Sequence, residues 1–516
     1  MMAGLCFPPA AMAQESLRID GGQIKDVPPD SSGIRVFKGI PYAAAPIGAL
    51  RWRPPAAVPA WQGVRAVETW GPRCVQNERL GPLDPLNIRM DEDCLYLNVW
   101  TPAKAAAAAL PVMVWIHGGS NTNGAASQPE YDGAQLARNG VLVVSINYRL
   151  DIFGFLAHPE LTAESVNRSS GNYALLDQIA ALQWVQRNIA AFGGDPREVT
   201  VFGESAGAID ISLLMASPLA KGLFARAIAE SGGALSRMPG FGPKPLATGE
   251  SEGMRFAQSV GAKSMAELRA KPAMELLSAV TKSPISYGFG VVDGYVVPEH
   301  PAALYAKGAY NDVPLLIGAN ADEGSLFAVR MKMPPNEQVF ADFLRSQFKA
   351  AADKAMALYP PGQTAESTQA AFMALIGDEI IGYGSWAWAE AAANIGRSQV
   401  YRYHFTRRPP GAPELSLYPL TAPGVYHFAE INYVFDNLDV RKEWGWQDAD
   451  RALGKSVAAY WTNFAKTGNP NGAGLPTWEA YKAGGGGKVM ELGAVMAMRD
   501  EPQRARYEFF NALFGT

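Results

Sequence analysis

The sequence predicts an α/β protein built on a doubly wound, mostly parallel sheet. Short apolar runs typical of buried strands alternate with longer segments that place apolar residues at helical spacing. Such alternation favours a parallel sheet with helices packed on it. The predicted strands are 110–117, 141–147, 199–202, 225–229, 313–318 and 399–405, and a helix is predicted at 172–192.

Two long stretches interrupt this alternation. Residues 235–300 and 324–397 carry irregular helical patterning, and we expect them to be insertions that cover the sheet and the site on it. The proline- and glycine-rich segment 34–61 predicts edge strands and loops. No internal repeat is evident. Single α/β domains with insertions reach this size, and residues 14–516 are expected to form one such domain.

Composition excludes several classes of protein. Of the 516 residues, 48% are hydrophobic and only 18% are charged, which predicts a large core and disfavours disorder. A net charge of −4 disfavours a nucleic-acid or anionic-membrane partner. The longest uncharged apolar run, 105–116, has twelve residues, too few to span a bilayer. We expect a soluble protein with no transmembrane segment.

The N-terminus and the cysteines bear on the compartment. Ala11-Met-Ala13 resembles a signal-peptidase site after a short stretch without a basic residue, so residues 1–13 are predicted to be a clipped export signal. A disordered cytoplasmic tail is the alternative. Cys6 would leave with the signal, and Cys74 and Cys94 are then a plausible disulfide pair, although two unrelated thiols fit equally. A disulfide needs an oxidising compartment, which agrees with a secreted or periplasmic protein.

The most specific local signal is the run 192–207. It contains a β-branched strand followed by Gly203-Glu-Ser205-Ala-Gly207, the G-x-S-x-G pattern of a nucleophile elbow. The glycines let the backbone pack closely, and the serine hydroxyl is held exposed on a strained turn. An apolar, helix-like segment, 209–215, follows as the motif requires. Ser205 is the predicted nucleophile.

A serine hydroxyl needs a base, usually a histidine held by a carboxylate. In this type of site the acid follows the serine and the histidine comes last. Four of the five histidines lie before Ser205, before the strand that should precede the acid, or inside a predicted strand: His117, His158, His300 and His404. His427 follows the last predicted strand in a loop and is the best base.

The acid should follow strand 313–318, where the turn 318–324 offers both Asp322 and Glu323. Either carboxylate could orient His427, and the spacing leaves the choice open.

An oxyanion hole is also required. Gly118 and Gly119 follow a predicted strand and could donate backbone N–H groups, with Ala206 as a third donor. The alternative is an ordinary tight turn.

These residues identify a family resemblance. The chain resembles the type-B carboxylesterases, the α/β-hydrolase group that includes the cholinesterases and many bacterial esterases. The resemblance covers nearly the whole chain after about residue 17. The matching segments are Phe37–Ala43, Glu92–Asn98, Trp115–Gly119, 192–207, Ser217-Pro218, Lys221–Phe224 and Trp461–Gly468.

The resemblance implies the α/β-hydrolase fold and assigns each candidate a role. Ser205 would be the nucleophile, Glu323 the acid and His427 the base. It also implies oxyanion donors and a disulfide: Gly118, Gly119 and Ala206, and Cys74 with Cys94. No metal or cofactor is implied, and the partners are an ester substrate and water.

Five departures from the family pattern stand out. Phe428 replaces the usual glycine after the base and could narrow the pocket, and 120–123 forms a polar segment where an aromatic residue is common. Asp210 and Asp151 stand where serine and glycine are frequent. If Asp210 is buried near the triad, it should raise the basicity of the base. Asp84 replaces the cation-binding tryptophan of cholinesterases, which disfavours choline esters.

The sequence therefore predicts a serine carboxylesterase for small or medium neutral esters, with 383–388 as an apolar wall. The alternative is a specialist for bulky polycarboxylate esters, such as the tricarballylate side chains of fumonisin-type mycotoxins. Its carboxylates could bind Arg149, Arg330, Lys332, Arg407 or Arg408. A lipase would need a lid, and no single long apolar lid is evident. A non-catalytic adhesion protein on the same fold is disfavoured because serine, acid, histidine and glycines are all present.

Overall fold

The structure is a computed structural model, and it describes residues 16–77, 86–236, 242–283, 285, 287–328, 331–411, 424–484 and 486–514. The predicted export signal, Asp84 and Arg330 lie outside these residues.

Ten strands of the described chain form one central sheet. In chain order they are β1 (Arg35–Pro41), β2 (Tyr96–Thr101), β3 (Leu110–Ile116), β4 (Leu142–Ile146), β5 (Gly194–Glu204), β6 (Arg226–Glu230), β7 (Leu315–Asn320), β8 (Val400–Phe405), β9 (Lys488–Leu492) and β10 (Ala497–Asp500). Their order across the sheet is β10-β9-β8-β7-β6-β5-β3-β4-β2-β1. Strands β3 to β9 pair in parallel, and antiparallel pairs stand at the two ends. The predicted fold class is confirmed.

The sheet is buried on both faces. Along β3, Val112, Val114 and Ile116 belong to one cluster of buried side chains, and the alternate residues Met113 and Trp115 belong to a second. Successive strand residues point to opposite faces, so the two clusters lie on opposite sides of the sheet. This explains why the central strands read as continuous apolar runs.

The α-helices lie between and around these strands. Their bounds are Ala134–Arg138, Asp151–Phe155, Pro159–Glu164, Tyr173–Asn188, Ala206–Ala216, Leu246–Ser259, Met265–Ala270, Ala273–Lys282, Pro301–Ala306, Ser325–Ala328, Glu337–Phe348, Ala352–Leu358, Ala365–Gly377, Tyr383–Ile395, Ile431–Val434, Asp448–Thr467 and Arg504–Phe514. Within the described part of the chain, no helix is both long and apolar enough to cross a bilayer.

The predicted elements match the observed ones with shifted ends. The elbow strand β5 begins five residues before the predicted 199–202, at Gly194. The predicted helix 172–192 ends as an α-helix at Asn188 and finishes as a 3₁₀ turn, Ile189–Phe192. The stretches 235–300 and 324–397 do contain helices, as their patterning indicates. Their role as insertions over the site stays a prediction.

Short strands and a disulfide lie in the N-terminal region, outside the main sheet. In a small three-stranded sheet, Gly22–Lys25 is the middle strand and pairs with Ser16–Ile19 on one side and with Val64–Arg65 on the other. Cys74 and Cys94 are joined by a disulfide with a Cα–Cα distance of 4.9 Å. The disulfide closes the loop that contains the undescribed residues 78–85.

Candidate active site

The candidate residues converge at one edge of the sheet. Each follows the carboxyl end of a parallel strand, where the loops of an α/β sheet meet and ligands usually bind. The residues and the strands that they follow are Gly118 (β3), Ser205 (β5), Ser231 (β6), Glu323 (β7) and His427 (β8).

Ser205 stands on a turn that only small neighbours permit. Its φ of +55° and ψ of −119° lie in a region that non-glycine residues rarely adopt, and the elbow helix, Ala206–Ala216, starts directly after it. A Cβ added to Gly203 or Gly207 would lie 2.5 Å or 2.0 Å from the Ile116 carbonyl oxygen. Glycine at both positions therefore allows the turn to press against β3 and hold the hydroxyl at the sheet edge.

A hydrogen-bonded relay joins three of the predicted residues. Ser205 Oγ lies 2.8 Å from His427 Nε2, and His427 Nδ1 lies 2.5 Å from Glu323 Oε2. The second carboxylate oxygen of Glu323 accepts from Ser231 Oγ at 2.6 Å and from the Asn320 N–H at 2.7 Å. All three relay side chains are buried, so water competes weakly for these bonds.

Asp322, the other candidate for the acid, contacts a backbone N–H group and not the imidazole. Asp322 is exposed, and its Oδ2 accepts from the Val425 N–H at 2.7 Å. This bond holds the backbone that leads into His427. The imidazole itself meets Glu323, so of the two adjacent carboxylates the structure brings only Glu323 to the base.

A second carboxylate lies at the other ring nitrogen. Glu204 Oε1 is 3.1 Å from His427 Nε2, and sequence reasoning missed this contact although Glu204 is part of the elbow motif. Burial lowers the pKa of His427, but Glu204 and Glu323 outweigh it and hold this pKa above its ordinary 6.5. Burial raises the pKa of Glu204 to about 8. In its anionic form, Glu204 would stabilise the imidazolium that forms when His427 accepts the serine proton.

Two further buried groups complete the surroundings of the relay. Glu430 Oε2 accepts from Asn320 Nδ2 at 2.5 Å, and Glu430 Oε1 lies 3.3 Å from Ser231 Oγ. Burial raises the pKa of Glu430 to about 7. Sequence reasoning missed Ser231 as well, although it follows a predicted strand just as the nucleophile does.

The glycine loop that contains Gly118 and Gly119 packs against Ser205. Gly118 is so close that an added Cβ would be 3.1 Å from Ser205 Cβ, and Gly119 has a φ of +105°. The N–H groups of Gly118, Gly119 and Ala206 donate none of the backbone hydrogen bonds formed in turns and loops of the described residues. Ala206 is the first residue of the elbow helix, where N–H groups have no partner within the helix. Three donors are thus available for an oxyanion.

The other histidines have different surroundings. His117 is buried and stacks on Tyr148 with ring centroids 4.4 Å apart, and burial lowers the pKa of His117 to about 4. His158 and His300 each cap the start of a short helix. His404 lies on β8.

Two of the departures from the family pattern have clear surroundings. Phe428 has a φ of +64°, a conformation that favours glycine, and its ring packs 5.2 Å from that of Tyr426. Asp210 is completely buried, and its carboxylate accepts from Asn121 Nδ2 at 2.9 Å and from Gln178 Nε2 at 2.5 Å. It is therefore engaged with two amides rather than with the imidazole.

Two of the basic residues considered for carboxylate binding are already paired. Arg149 forms two bonds of 2.7 Å to the buried Asp177, and Arg407 bonds Asp450 at 2.6 Å. Lys332 is exposed to solvent.

Comparisons with known proteins agree with this geometry. A sequence model described as the carboxylesterase family matches residues 14–510. Fumonisin B1 esterase from Sphingopyxis macrogoltabida is 38% identical over 512 residues, covering 96% of this chain and 90% of that protein. Para-nitrobenzyl esterase from Bacillus subtilis (strain 168) is 34% identical over 485 residues, covering 91% and 93%.

Solved structures show the same architecture. A PNB esterase superposes with a TM-score of 0.80 at 34% identity, covering 96% of this chain and all of the other. A thermophilic PNB esterase gives 0.82 at 33% identity, with 96% and 100% covered. The chain therefore belongs to the carboxylesterase family and is a carboxylic ester hydrolase with the α/β-hydrolase fold.

Proposed function

We propose that the enzyme cleaves esters through an acyl-enzyme with Ser205 as nucleophile, His427 as base and Glu323 as acid. The observation that carries this proposal is the continuous chain of two hydrogen bonds from Glu323 through His427 to Ser205. Along the polypeptide the three residues occur in the order serine, acid, histidine, which is the order that this fold uses. The carboxylate keeps a proton on His427 Nδ1, which leaves Nε2 free to accept the serine proton.

The proposed cycle follows from these contacts. Ser205 Oγ attacks the ester carbonyl carbon while His427 takes its proton, and the oxyanion is held by the N–H groups of Gly118, Gly119 and Ala206. The imidazolium, stabilised by Glu323, then protonates the leaving alcohol. A water molecule attacks the acyl-enzyme by the same route and releases the acid.

The proposal is tested by Ser205→Ala. Hydrolysis of p-nitrophenyl acetate should fall by at least about 10⁴-fold in kcat, because the covalent route is lost. Ser217→Ala is the matched control: Ser217 is also buried, follows the far end of the same elbow helix, and its Oγ has no hydrogen-bond partner among the described residues. Wild-type turnover in the Ser205 variant would refute the assignment.

For the substrate, we propose small or medium neutral esters. The pairing of Arg149 with Asp177 and of Arg407 with Asp450 supports this, because the charge of each guanidinium is already balanced by a carboxylate of the protein. A specialist for tricarballylate-type esters is the second candidate, favoured by the 38% identity to fumonisin B1 esterase. Comparing kcat/KM for acetate, butyrate, long-chain and tricarballylate monoesters separates them. A preference of over about tenfold for the tricarballylate ester would favour the specialist.

We also propose that residues 14–516 form one catalytic domain with insertions at 235–300 and 324–397.

We propose further that residues 1–13 belong to an export signal and that the enzyme works in an oxidising compartment. The disulfide between Cys74 and Cys94 supports the compartment. Thiol labelling of protein taken directly from its native cells should leave both cysteines unmodified until a reductant is added. Labelling before reduction would contradict the proposal.

A further inference from the structure

A single asparagine ties the glycine loop to its surroundings. Asn121 is completely buried two residues after Gly119 and has a φ of +55°. Its Nδ2 donates to Asp210 Oδ1 at 2.9 Å and to the Gly288 carbonyl at 2.8 Å, and its own carbonyl accepts from the Asp151 N–H at 2.6 Å. Ser120, just before it, also has a positive φ, and the side-chain bonds of Asn121 help to hold this part of the loop in place.

The same asparagine is linked to the start of the loop. Tyr148 Oη lies 2.6 Å from the His117 carbonyl oxygen and 3.0 Å from Asn121 Oδ1, and the Tyr148 ring stacks on His117. Both ends of the segment that contains Gly118 and Gly119 are thereby fixed to one tyrosine.

Asp210 lies on the other half of the site. It belongs to the elbow helix, so it is rigidly connected to Ser205 and to the Ala206 N–H. The oxyanion hole draws two donors from the glycine loop and one from this helix. The bond between Asn121 and Asp210 is thus a direct side-chain link between the two halves.

We propose that Asp210 is a positioning residue that aligns the oxyanion hole by holding Asn121. This inference rests on the proposed function, because it assumes that Gly118, Gly119 and Ala206 bind the oxyanion. Asp210 acts through Asn121 and does not touch the substrate.

The hydrogen bonds of Asp210 with Asn121 and Gln178 do not require a negative charge at position 210. The donors on its two oxygens are neutral amides, and among the described residues no cation stabilises its carboxylate. Gln178 Oε1 has no hydrogen-bond partner among the described residues, so the Gln178 amide can turn over and accept from a neutral amide placed at position 210. Asp210→Asn should therefore keep the bond to Asn121, and Asp210→Ala should remove it without a steric clash.

The test measures kcat, KM and the Ki of an aryl trifluoromethyl ketone. Such a ketone forms a hemiketal with the catalytic serine and places its oxyanion in the hole, so its affinity reports the alignment of the donors. For D210A we expect kcat to fall about 10- to 100-fold, KM to stay within about twofold, and Ki to rise by the factor by which kcat/KM falls. D210N should stay within about threefold of wild type in all three.

A second variant removes the same bond from the loop side. Asn121→Gly suits a φ of +55° because glycine adopts it freely, so the side-chain bonds are lost without added backbone strain. It should lower kcat at least as much as D210A. The double variant should be no worse than N121G alone, because both changes remove one shared bond.

Asn311→Ala is the matched control. Asn311 Nδ2 donates to the Leu214 and Ser217 carbonyls at the far end of the elbow helix. This variant should lower the Tm but leave kcat, KM and Ki unchanged.

Two results would overturn the proposal. One is a wild-type kcat and Ki in D210A and N121G, whatever their Tm. The other is an equal loss in D210N and D210A, since the amide retains the acceptor. Failure of the proposed function would be distinguishable, because the ketone would then not inhibit the wild-type enzyme at all.

Discussion

Replacing Glu323 by glutamine should invert the hydrogen bonding of the catalytic imidazole. In the structure, Glu323 Oε1 accepts from two donors, Ser231 Oγ and the Asn320 N–H, while Oε2 accepts from His427 Nδ1. A glutamine can satisfy the two donors only if its carbonyl oxygen takes the Oε1 position. Its NH₂ group then faces Nδ1 and must donate to it.

The consequence is the wrong tautomer. With Nδ1 acting as an acceptor, the imidazole proton sits on Nε2, which lies 2.8 Å from Ser205 Oγ and can no longer take the serine proton. Loss of the correct tautomer in a serine triad costs about 10⁴-fold in kcat, which corresponds to about 5.5 kcal/mol in the barrier. The side chain is nearly isosteric, so the fold should be unaffected.

The assay is steady-state hydrolysis of p-nitrophenyl acetate at pH 7.5 or so, with thermal unfolding as the check on the fold. Asp322→Asn is the matched control, because an amide oxygen at that position can still accept from the Val425 N–H. It should keep activity within about threefold. If Glu323→Gln lowers kcat by less than about tenfold, or if Asp322→Asn lowers kcat more than Glu323→Gln does, Glu323 does not set the tautomer of His427.

The other predictions concern the surroundings of the relay and the disulfide. Glu204→Gln removes the carboxylate that most raises the pKa of His427, so the acid limb of kcat/KM against pH should move about one unit lower; an unmoved limb would contradict this. Ser231→Ala removes a donor to the triad acid and should lower kcat about tenfold, with wild-type turnover as the contrary result. Serine at both Cys74 and Cys94 should lower the free energy of unfolding by about 3 kcal/mol in denaturant titrations, and unchanged stability would show that the bond constrains little.

Local patterns were enough to predict the central sheet and the nucleophile. Residues 199–215 combine a buried strand, two obligatory glycines and an apolar helical segment, so residues close in sequence determine the geometry of the elbow. His427 emerged by elimination, because chain order and strand position left no other candidate for the base.

The last two strands of the sheet in chain order, β9 and β10, were not predicted from the sequence. β10, Ala497–Asp500, is four residues long and largely unburied, which leaves no apolar run or clear alternation to detect. β9, Lys488–Leu492, is also short, with five residues. Such strands form because a neighbouring strand offers its backbone N–H and C=O groups as hydrogen-bond partners. A local sequence pattern does not reveal this pairing.

The details of the site depend on how separate strand ends meet. Asp322 and Glu323 are adjacent in sequence, and only the turn after β7 decides which carboxylate reaches His427. The same holds for Glu204 and for Asp210, whose partners come from distant segments. The type of a residue indicates which chemistry its side chain can perform. Tertiary packing decides which other group that side chain contacts.

Covalent labelling with a fluorophosphonate, located by peptide mass spectrometry, tests the proposed relay most directly. We expect one adduct, on Ser205, in the wild-type enzyme, and strongly slowed labelling in His427→Ala because the serine then lacks its base. Modification of another residue, or undiminished labelling of Ser205 without His427, would contradict this expectation.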